Sequence, residues 1–516
     1  MIFPEEKLHY LQGGVMDIAA ENIKIHDKYQ IELKFTYPVD PAKKVNEYHV
    51  DTYIFLPKNL FINSHTYSRD HFYRDMQRYI RLKTPAVLLS KLISSGADSP
   101  YAKLADSLKA LGENPGERKA LFAACEEHLK MFCSIMKSAL RDEELFLEKF
   151  FFKEDLPFLT EKYFSSVTSI LEKFRSLSQF LETPAVTDQE RQLFALADEF
   201  LSLTVTRYYG KLWAFLEGKK ATGRDFSGIL SKTATLCREE EDYRKSMAYP
   251  SLPSPANDNE ELLYREGVLK KAMASILFLQ TSTRRDGVIL ENILFGAAAG
   301  IAMTFATAVA YLYQSLFVQE FTMTFFILVV AAYMLKDRIK EWFRAFFYSG
   351  LHKFIFDYHT RITSTLGREL GSCKEGMRFV SESSLEENIV RIRAKNYMTD
   401  MENERLGEDI IFSRKHIHLT TRNCERIFND FQVDGIVDIM RFNIRRFLER
   451  MDNPTKELYL PSAKEPGTLE KVKAKRVYHV NVIIRYGMDG QKDTYRRLRL
   501  VLTRNGIRRI EDLSGN

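Results

Sequence analysis

Alternation of apolar and polar residues opens the chain. In "YQIELKFTY", Ile31, Leu33, Phe35 and Tyr37 fall on one face at a period of two, which predicts a half-buried strand. "HVDTYIFLP" reads as a second strand ended by Pro57, and the turn-rich "PVDPAKK" joins the two. From residue 67 to about 280 the period becomes helical. Pro115 behind Asn114 marks a helix start, and that helix reaches about Phe152. A second helix covers roughly 156–181. Thr187 and Glu190 make a capping box for a third, which ends near Gly218, and a fourth spans about 225–247. Long helices with short connections predict an antiparallel bundle, with Phe146, Phe150, Phe151 and Phe152 in its core. "PSLPSPANDNE" contains the linker 251–260, and a further helix starts near Glu261.

The C-terminal part reads as α+β. Residues 351–376 are expected to be helical, "EDIIFSRKHIHLT" a strand, and "DGIVDIMRFNIRRFLERMDNP" a helix with Ile436, Ile439, Met440, Ile444 and Phe447 inward. "RVYHVNVIIRY" and "DTYRRLRLVLT" face each other across "GMDGQK". Val480, Val482 and Ile484 alternate on one strand, and Leu498, Leu500 and Leu502 on the other. Asn505 and Gly506 are a turn signal leading into "IRRIEDL", so an antiparallel meander is expected.

Between these regions the pattern loses its polar phase. Residues 292–319 carry no charge, and after Glu320 a second uncharged run covers 321–335. A bilayer crossing needs about 20 apolar residues, so the stretch predicts a two-helix transmembrane hairpin, about 292–313 and 317–335. Lys270, Lys271, Arg284 and Arg285 precede it, and Lys336, Arg338, Lys340 and Arg344 follow. Positive flanks stay on the cytoplasmic side, which puts both termini there. Gly296 and Gly300 form a GxxxG, a spacing that lets helix backbones approach closely in lipid, within the hairpin or between copies. Beyond Leu335, Lys336, Arg338, Lys340, Trp342 and Arg344 mix bases with aromatics, as an interfacial helix in the headgroup layer does.

Charge sharpens this picture. The chain has 516 residues and a formal net charge of +6, and residues 386–516 hold 26 Lys/Arg against 20 Asp/Glu. Lys471, Lys473, Lys475, Arg497, Arg499, Arg508 and Arg509 are the expected anionic-surface set, facing acidic lipid headgroups. Nucleic acid fits less well, because no aromatic stacking platform accompanies the arginines. The five cysteines are scattered without CxxC spacing, which suits reduced thiols. The first residues lack an apolar core, so no cleavable signal is expected.

Candidate chemistry is sparse. No phosphate-binding, dinucleotide, zinc-protease, serine-hydrolase or kinase pattern occurs. His416 and His418 share a strand face but lack a carboxylate or thiol to complete a metal site. Asp70 with His65 and His71 resembles an acid–base pair, which a helix cap by Ser68 or Asp70 also explains. Asp357 and His359 sit just past the interfacial stretch. No catalytic, cofactor or metal residue is therefore assigned.

The sum is a membrane protein of mixed α and β structure. It divides into an N-terminal β-strand region (1–66), a cytoplasmic helical bundle (67–250), the linker, a membrane region (261–350) and a basic α+β domain (351–516). The expectation is a two-pass inner-membrane scaffold that recruits an unidentified protein partner or a second copy. The alternatives are a membrane-bound enzyme of unrecognised type and a subunit of a transport or pore assembly, with Thr304, Thr307 and Gln314 lining a conduit.

Overall fold

The computed structural model describes residues 23–514 apart from 95, 97, 114–117, 185, 317–322, 352–354, 366, 395–406, 429–432 and 464–466. Among the described residues are fourteen strands and twelve helices. In chain order the strands are β1 (Ile23–Ile25), β2 (Gln30–Pro38), β3 (Val45–Pro57), β4 (Met76–Leu82), β5 (Gln280–Arg285), β6 (Tyr358–Thr363) and β7 (Glu369–Val380). There follow β8 (Glu408–Thr420), β9 (Gly435–Asn443), β10 (Thr455–Pro461), β11 (Leu469–Lys475), β12 (Tyr478–Met488), β13 (Thr494–Thr503) and β14 (Gly506–Asp512).

All pairings are antiparallel. Eight strands form one sheet in the order β14-β13-β12-β3-β8-β7-β6-β5, and four form a second in the order β1-β2-β9-β4. The regions 1–66 and 351–516, set apart in the sequence reading, therefore contribute to the same two sheets. Strand β3 sits in the middle of the larger one, with Phe55 opposite both Asn481 and Ile410. The sheets face each other through the alternating positions legible in sequence. Ile31, Leu33, Phe35 and Tyr37 of β2 share a core with Val480, Val482, Ile484, Leu498, Leu500 and Leu502. The outer face of the larger sheet is partly covered by the short helix Glu387–Arg393, whose Ile389 packs with Tyr53, Phe55, Phe412 and Ile483.

Three sequence expectations fail here, and three strands had no signal. The stretch 351–376, expected to be helical, contains β6 and the first part of β7. Residues 434–454 were read as a helix, but Gly435–Asn443 is strand β9, wedged between β2 and β4 with both faces covered. Its run of Ile436, Val437 and Asp438 is buried on consecutive positions, a pattern that periodicity alone does not separate from a buried helix. Strand β4 falls inside the region read as continuously helical, and β5, β10 and β11 had no strand signal.

The bundle meets its expectation closely. Its helices are α2 (Pro100–Glu113), α3 (Arg118–Lys149), α4 (Leu156–Ser176), α5 (Asp188–Gly218), α6 (Ser227–Ser246) and α7 (Glu260–Ala274), after a short α1 (Arg69–Asp75). The Thr187–Glu190 capping box is formed, with the Thr187 N–H donating to Glu190 Oε2 at 2.6 Å. Of the four phenylalanines, Phe146 is buried and Phe152 is exposed. The whole bundle is an excursion between β4 and β5, closed where the Leu279 N–H donates to the Ile80 carbonyl at 3.0 Å.

Candidate functional site

A second excursion interrupts a β-hairpin. Strands β5 and β6 pair from Gln280 opposite Thr363 to Arg285 opposite Tyr358. The Asp286 N–H then donates to the Asp357 carbonyl at 3.1 Å. Between these two residues run α8 (Val288–Leu316) and α9 (Met323–Leu351), each of 29 residues and packed on one another. Gly287 makes the exit from β5. Its φ is +76°, and a Cβ there would meet Ile355 Cγ2 at 2.5 Å, so glycine is required on both counts.

Among the described residues one helix is long and apolar enough to cross a membrane, Glu291–Leu312, 22 residues of mean hydropathy 1.9. The second expected crossing, 317–335, begins in residues outside the described set, as does Glu320. Helix α9 runs unbroken from Met323 to Leu351, so the basic and aromatic stretch continues that helix and is not a separate interfacial element. Lys336 lies over the Tyr333 ring at 3.8 Å, and Arg344 over the Phe295 ring at 4.6 Å. Arg338 and Trp342 are exposed and Lys340 is half-buried.

The seam between the helices is made by Ala298, Ala302 and Ala332, all buried. Gly296 and Gly300 are exposed, and a Cβ on either would meet nothing within 4 Å. The GxxxG is thus not the contact within the hairpin. Thr304 and Thr307 donate to the Gly300 and Met303 carbonyls at 2.9 Å each, so these hydroxyls are satisfied inside α8.

At the base, two segments singled out in sequence meet. Ser68 caps α1 in a reciprocal pair with His71, whose N–H donates to Ser68 Oγ at 3.3 Å. That cap accounts for His71, while Asp70 lies exposed in the first turn of α1. The cap also sets the helix that aims Arg69 and Tyr73 at Asp357. The Asp357 carboxylate accepts from Arg69 Nη1 at 3.0 Å, Tyr73 OH at 3.0 Å and the Met377 N–H at 2.7 Å. Burial, reinforced by Asp357 and Glu375, raises the Tyr73 pKa far above its ordinary value, so its hydroxyl remains a donor. A cavity of about 420 Å³ opens beside this cluster, lined among others by Arg69, Arg285, Asp286, Glu291, Phe295 and Asp357. Sequence reading flagged Asp357 but not Arg69 or Tyr73, because nothing local ties residues so far apart.

The basic set is divided. Lys471, Lys473 and Lys475 are exposed on β11, which pairs only with β10 in a separate two-stranded ribbon. Lys471 bridges to Glu457 at 2.7 Å. Arg508 and Arg509 are exposed on β14, and Arg509 bonds Glu511 at 2.7 Å. Arg497 and Arg499 do share a face, as their alternation predicts. Arg497 is however only 3% exposed, and Arg499 pairs with Glu511 at 3.5 Å. These two do not form the solvated basic face expected of them.

His416 packs edge-on against Phe356 with ring centroids 5.0 Å apart. Burial, with help from Arg414 and the neighbouring histidines His49 and His418, lowers its pKa. His418 pairs with Glu47 at 3.1 Å and His49 with Asp493 at 2.8 Å. No group of three or more His, Cys, Asp or Glu residues that could hold a metal ion occurs among the described residues. All five cysteines are free thiols. Compared with protein-family models, curated proteins and solved structures, the chain matches none, which leaves its own residues and geometry to indicate a function.

Proposed function

We propose that this chain is a membrane-anchored scaffold, held at the cytoplasmic face of a bacterial inner membrane by the α8–α9 hairpin, with the two-sheet body and helical bundle available to recruit a protein partner. The observation that carries this reading is the insertion of a long apolar helical pair into the turn of the β5–β6 hairpin. Chain enters and leaves the pair at adjacent, hydrogen-bonded strands, so whatever the helices enter, both flanks stay on one side of it. Exposed Ile293, Met303, Tyr311, Phe326 and Ile327 on the pair would be costly in water and fit lipid. The anchor can be built as two full crossings, at 292–313 and 317–335 with both termini cytoplasmic, or as a shorter wedge.

The lysine ribbon supports the same surface. In register terms, β12 begins at the end of the large sheet toward which β5 runs, so the β10–β11 ribbon and the helical hairpin leave from the same end. Lys473 and Lys475 lie on one ribbon face with Tyr459, which suits anionic headgroups.

The test is excision. Because Asp286 and Asp357 are bonded neighbours, residues 288–351 can be replaced by a short Gly-Ser turn. The full chain is expected in the membrane fraction and resistant to carbonate extraction, and the excised chain in the soluble fraction with its fold intact. Equal distribution of the two would end the anchor reading. Affinity purification of the full chain from detergent, with mass spectrometry, then reads out the partner.

A further inference from the structure

How deep the hairpin reaches follows from its register. Arg344 of α9 sits over Phe295 of α8. Nine residues closer to the tip on each helix, Leu335 lies level with Thr304. The equal lengths of the helices and the Asp286–Asp357 bond at the base fit the same alignment. The lower half of α8, uncharged from 292 to 303, therefore runs beside the part of α9 that carries Lys336, Asp337, Arg338, Lys340, Glu341 and Arg344.

Two full crossings would put one of these halves in the wrong medium. If α8 crosses from its first apolar turn, six charges of α9 lie at hydrocarbon depth, where ionised groups are costly. Lys336 does not escape toward the base, because its ammonium rests over Tyr333, one turn nearer the tip. If the headgroup level is set instead at Leu335, the uncharged residues 323–335 span only about 20 Å at the ~1.5 Å rise of a helix, against a hydrocarbon core of about 30 Å. The lower half of α8 would then face water with Ile293, Ile301 and Met303, which are 61%, 44% and 57% exposed.

Both difficulties vanish if the pair lies obliquely. We propose that the α8–α9 hairpin is a wedge in the near leaflet, with α8 against lipid along its length and the charged half of α9 on the aqueous side above it. The tip-side ends of the two helices, at Leu316 and Met323, then stop inside the bilayer and do not reach the far surface. Trp342 and Phe346, 68% and 71% exposed beside the charges, occupy the headgroup layer. The inference rests on the anchor reading and fixes the kind of surface it engages: one leaflet, entered from one side.

Two measurements on the full chain test it. The first places single cysteines at Gln319→Cys and Ser254→Cys and applies a membrane-impermeant maleimide to intact cells and to inverted vesicles, with the unsubstituted chain as background. The wedge requires labelling of Ser254→Cys in inverted vesicles only. It requires no labelling of Gln319→Cys from either side until detergent is added. Labelling of Gln319→Cys from outside intact cells overturns the wedge in favour of two crossings. The second attaches an environment-sensitive fluorophore at Ile301→Cys or Asp337→Cys, which are nearly level on neighbouring helices. The wedge requires a blue-shifted, lipid-quenched signal at 301 and an aqueous signal at 337, and equal burial of both overturns it. If the chain is absent from the membrane fraction altogether, the anchor reading fails first and the wedge with it.

Discussion

Arg78 and Asp438 meet inside the protein, Nε to Oδ1 at 3.0 Å, and the aspartate is completely buried. Each comes from the four-stranded sheet. The eight-stranded sheet answers with Glu375, 2.7 Å from Arg78, and Lys415, 2.6 Å from Asp438 and 3.1 Å from Glu375. Two cations and two anions thus join the sheets without net charge. Burial alone would raise both carboxyl pKa values, and Arg78 and Lys415 outweigh it, so both carboxyls lie below their ordinary range. Lys415→Met strands two acids on one arginine and should cost about 3–5 kcal/mol in urea unfolding. Lys415→Met with Glu375→Met removes a matched pair and should cost less than Lys415→Met alone. The quartet's contribution is present above the usual carboxylate range near ~4 and is lost as pH falls through the lowered values.

Asp357 holds α1 to the base of the helical hairpin. Asp357→Ala removes the acceptor that Arg69, Tyr73 and the Met377 N–H share and should cost about 2–3 kcal/mol. Faster amide exchange across residues 69–75 would locate the loss. Asp70→Ala, one residue from Arg69 but exposed, should stay within about 0.5 kcal/mol.

The hairpin seam predicts opposite outcomes for small residues a few positions apart. Ala298→Leu or Ala302→Leu forces bulk between packed helices and should lower stability in detergent by about 1–3 kcal/mol. Gly296→Ala and Gly300→Ala meet open space and should leave melting unchanged or raise it, through the better helix propensity of alanine.

Glu144, buried on α3 with Lys211 at 3.6 Å, offers a pH readout. Burial raises its pKa from the usual 4.5 to about 7, and Lys211 offsets only part of that. The folded protein therefore holds a proton there that the unfolded chain has lost. The penalty grows as pH rises from 4.5 to about 7 and is complete above that. Glu144→Gln should stabilise the protein at pH 8, on the order of 1–2 kcal/mol, with no gain near pH 4.5. A gain that does not change with pH would disprove the assignment.

Legibility followed the range of the forces involved. Alternation in β2 and the β12–β14 meander, the Thr187 cap and the linker before α7 are local patterns, and each was readable. Strand β9 was misread because it is covered on two faces by partners hundreds of residues away, and burial on consecutive positions erases the period. The length and apolarity of α8 were legible. Its alanine seam was not, because periodicity cannot tell which face of an all-apolar helix meets its neighbour. The Arg69–Asp357 contact and the buried quartet had no local signal. Arg497 looked like a solvated charge because alternation reports only the side of the sheet, not what covers it.

The central position of β3 governs the order in which the protein can be made. Its two neighbours are β8 and β12, and β2 and β4 both pair with β9, so β3 and β4 have no strand partner, and β2 none but the three-residue β1, until residues beyond 408 are synthesised. The bundle and the helical hairpin, whose contacts are mostly among residues near in sequence, emerge earlier and fold first. Closure of both sheets thus waits for these later strands and is slowed by long-range pairing. A nascent chain stopped before Met488 would expose an edge of β3, a row of unpaired backbone groups open to pairing with another chain.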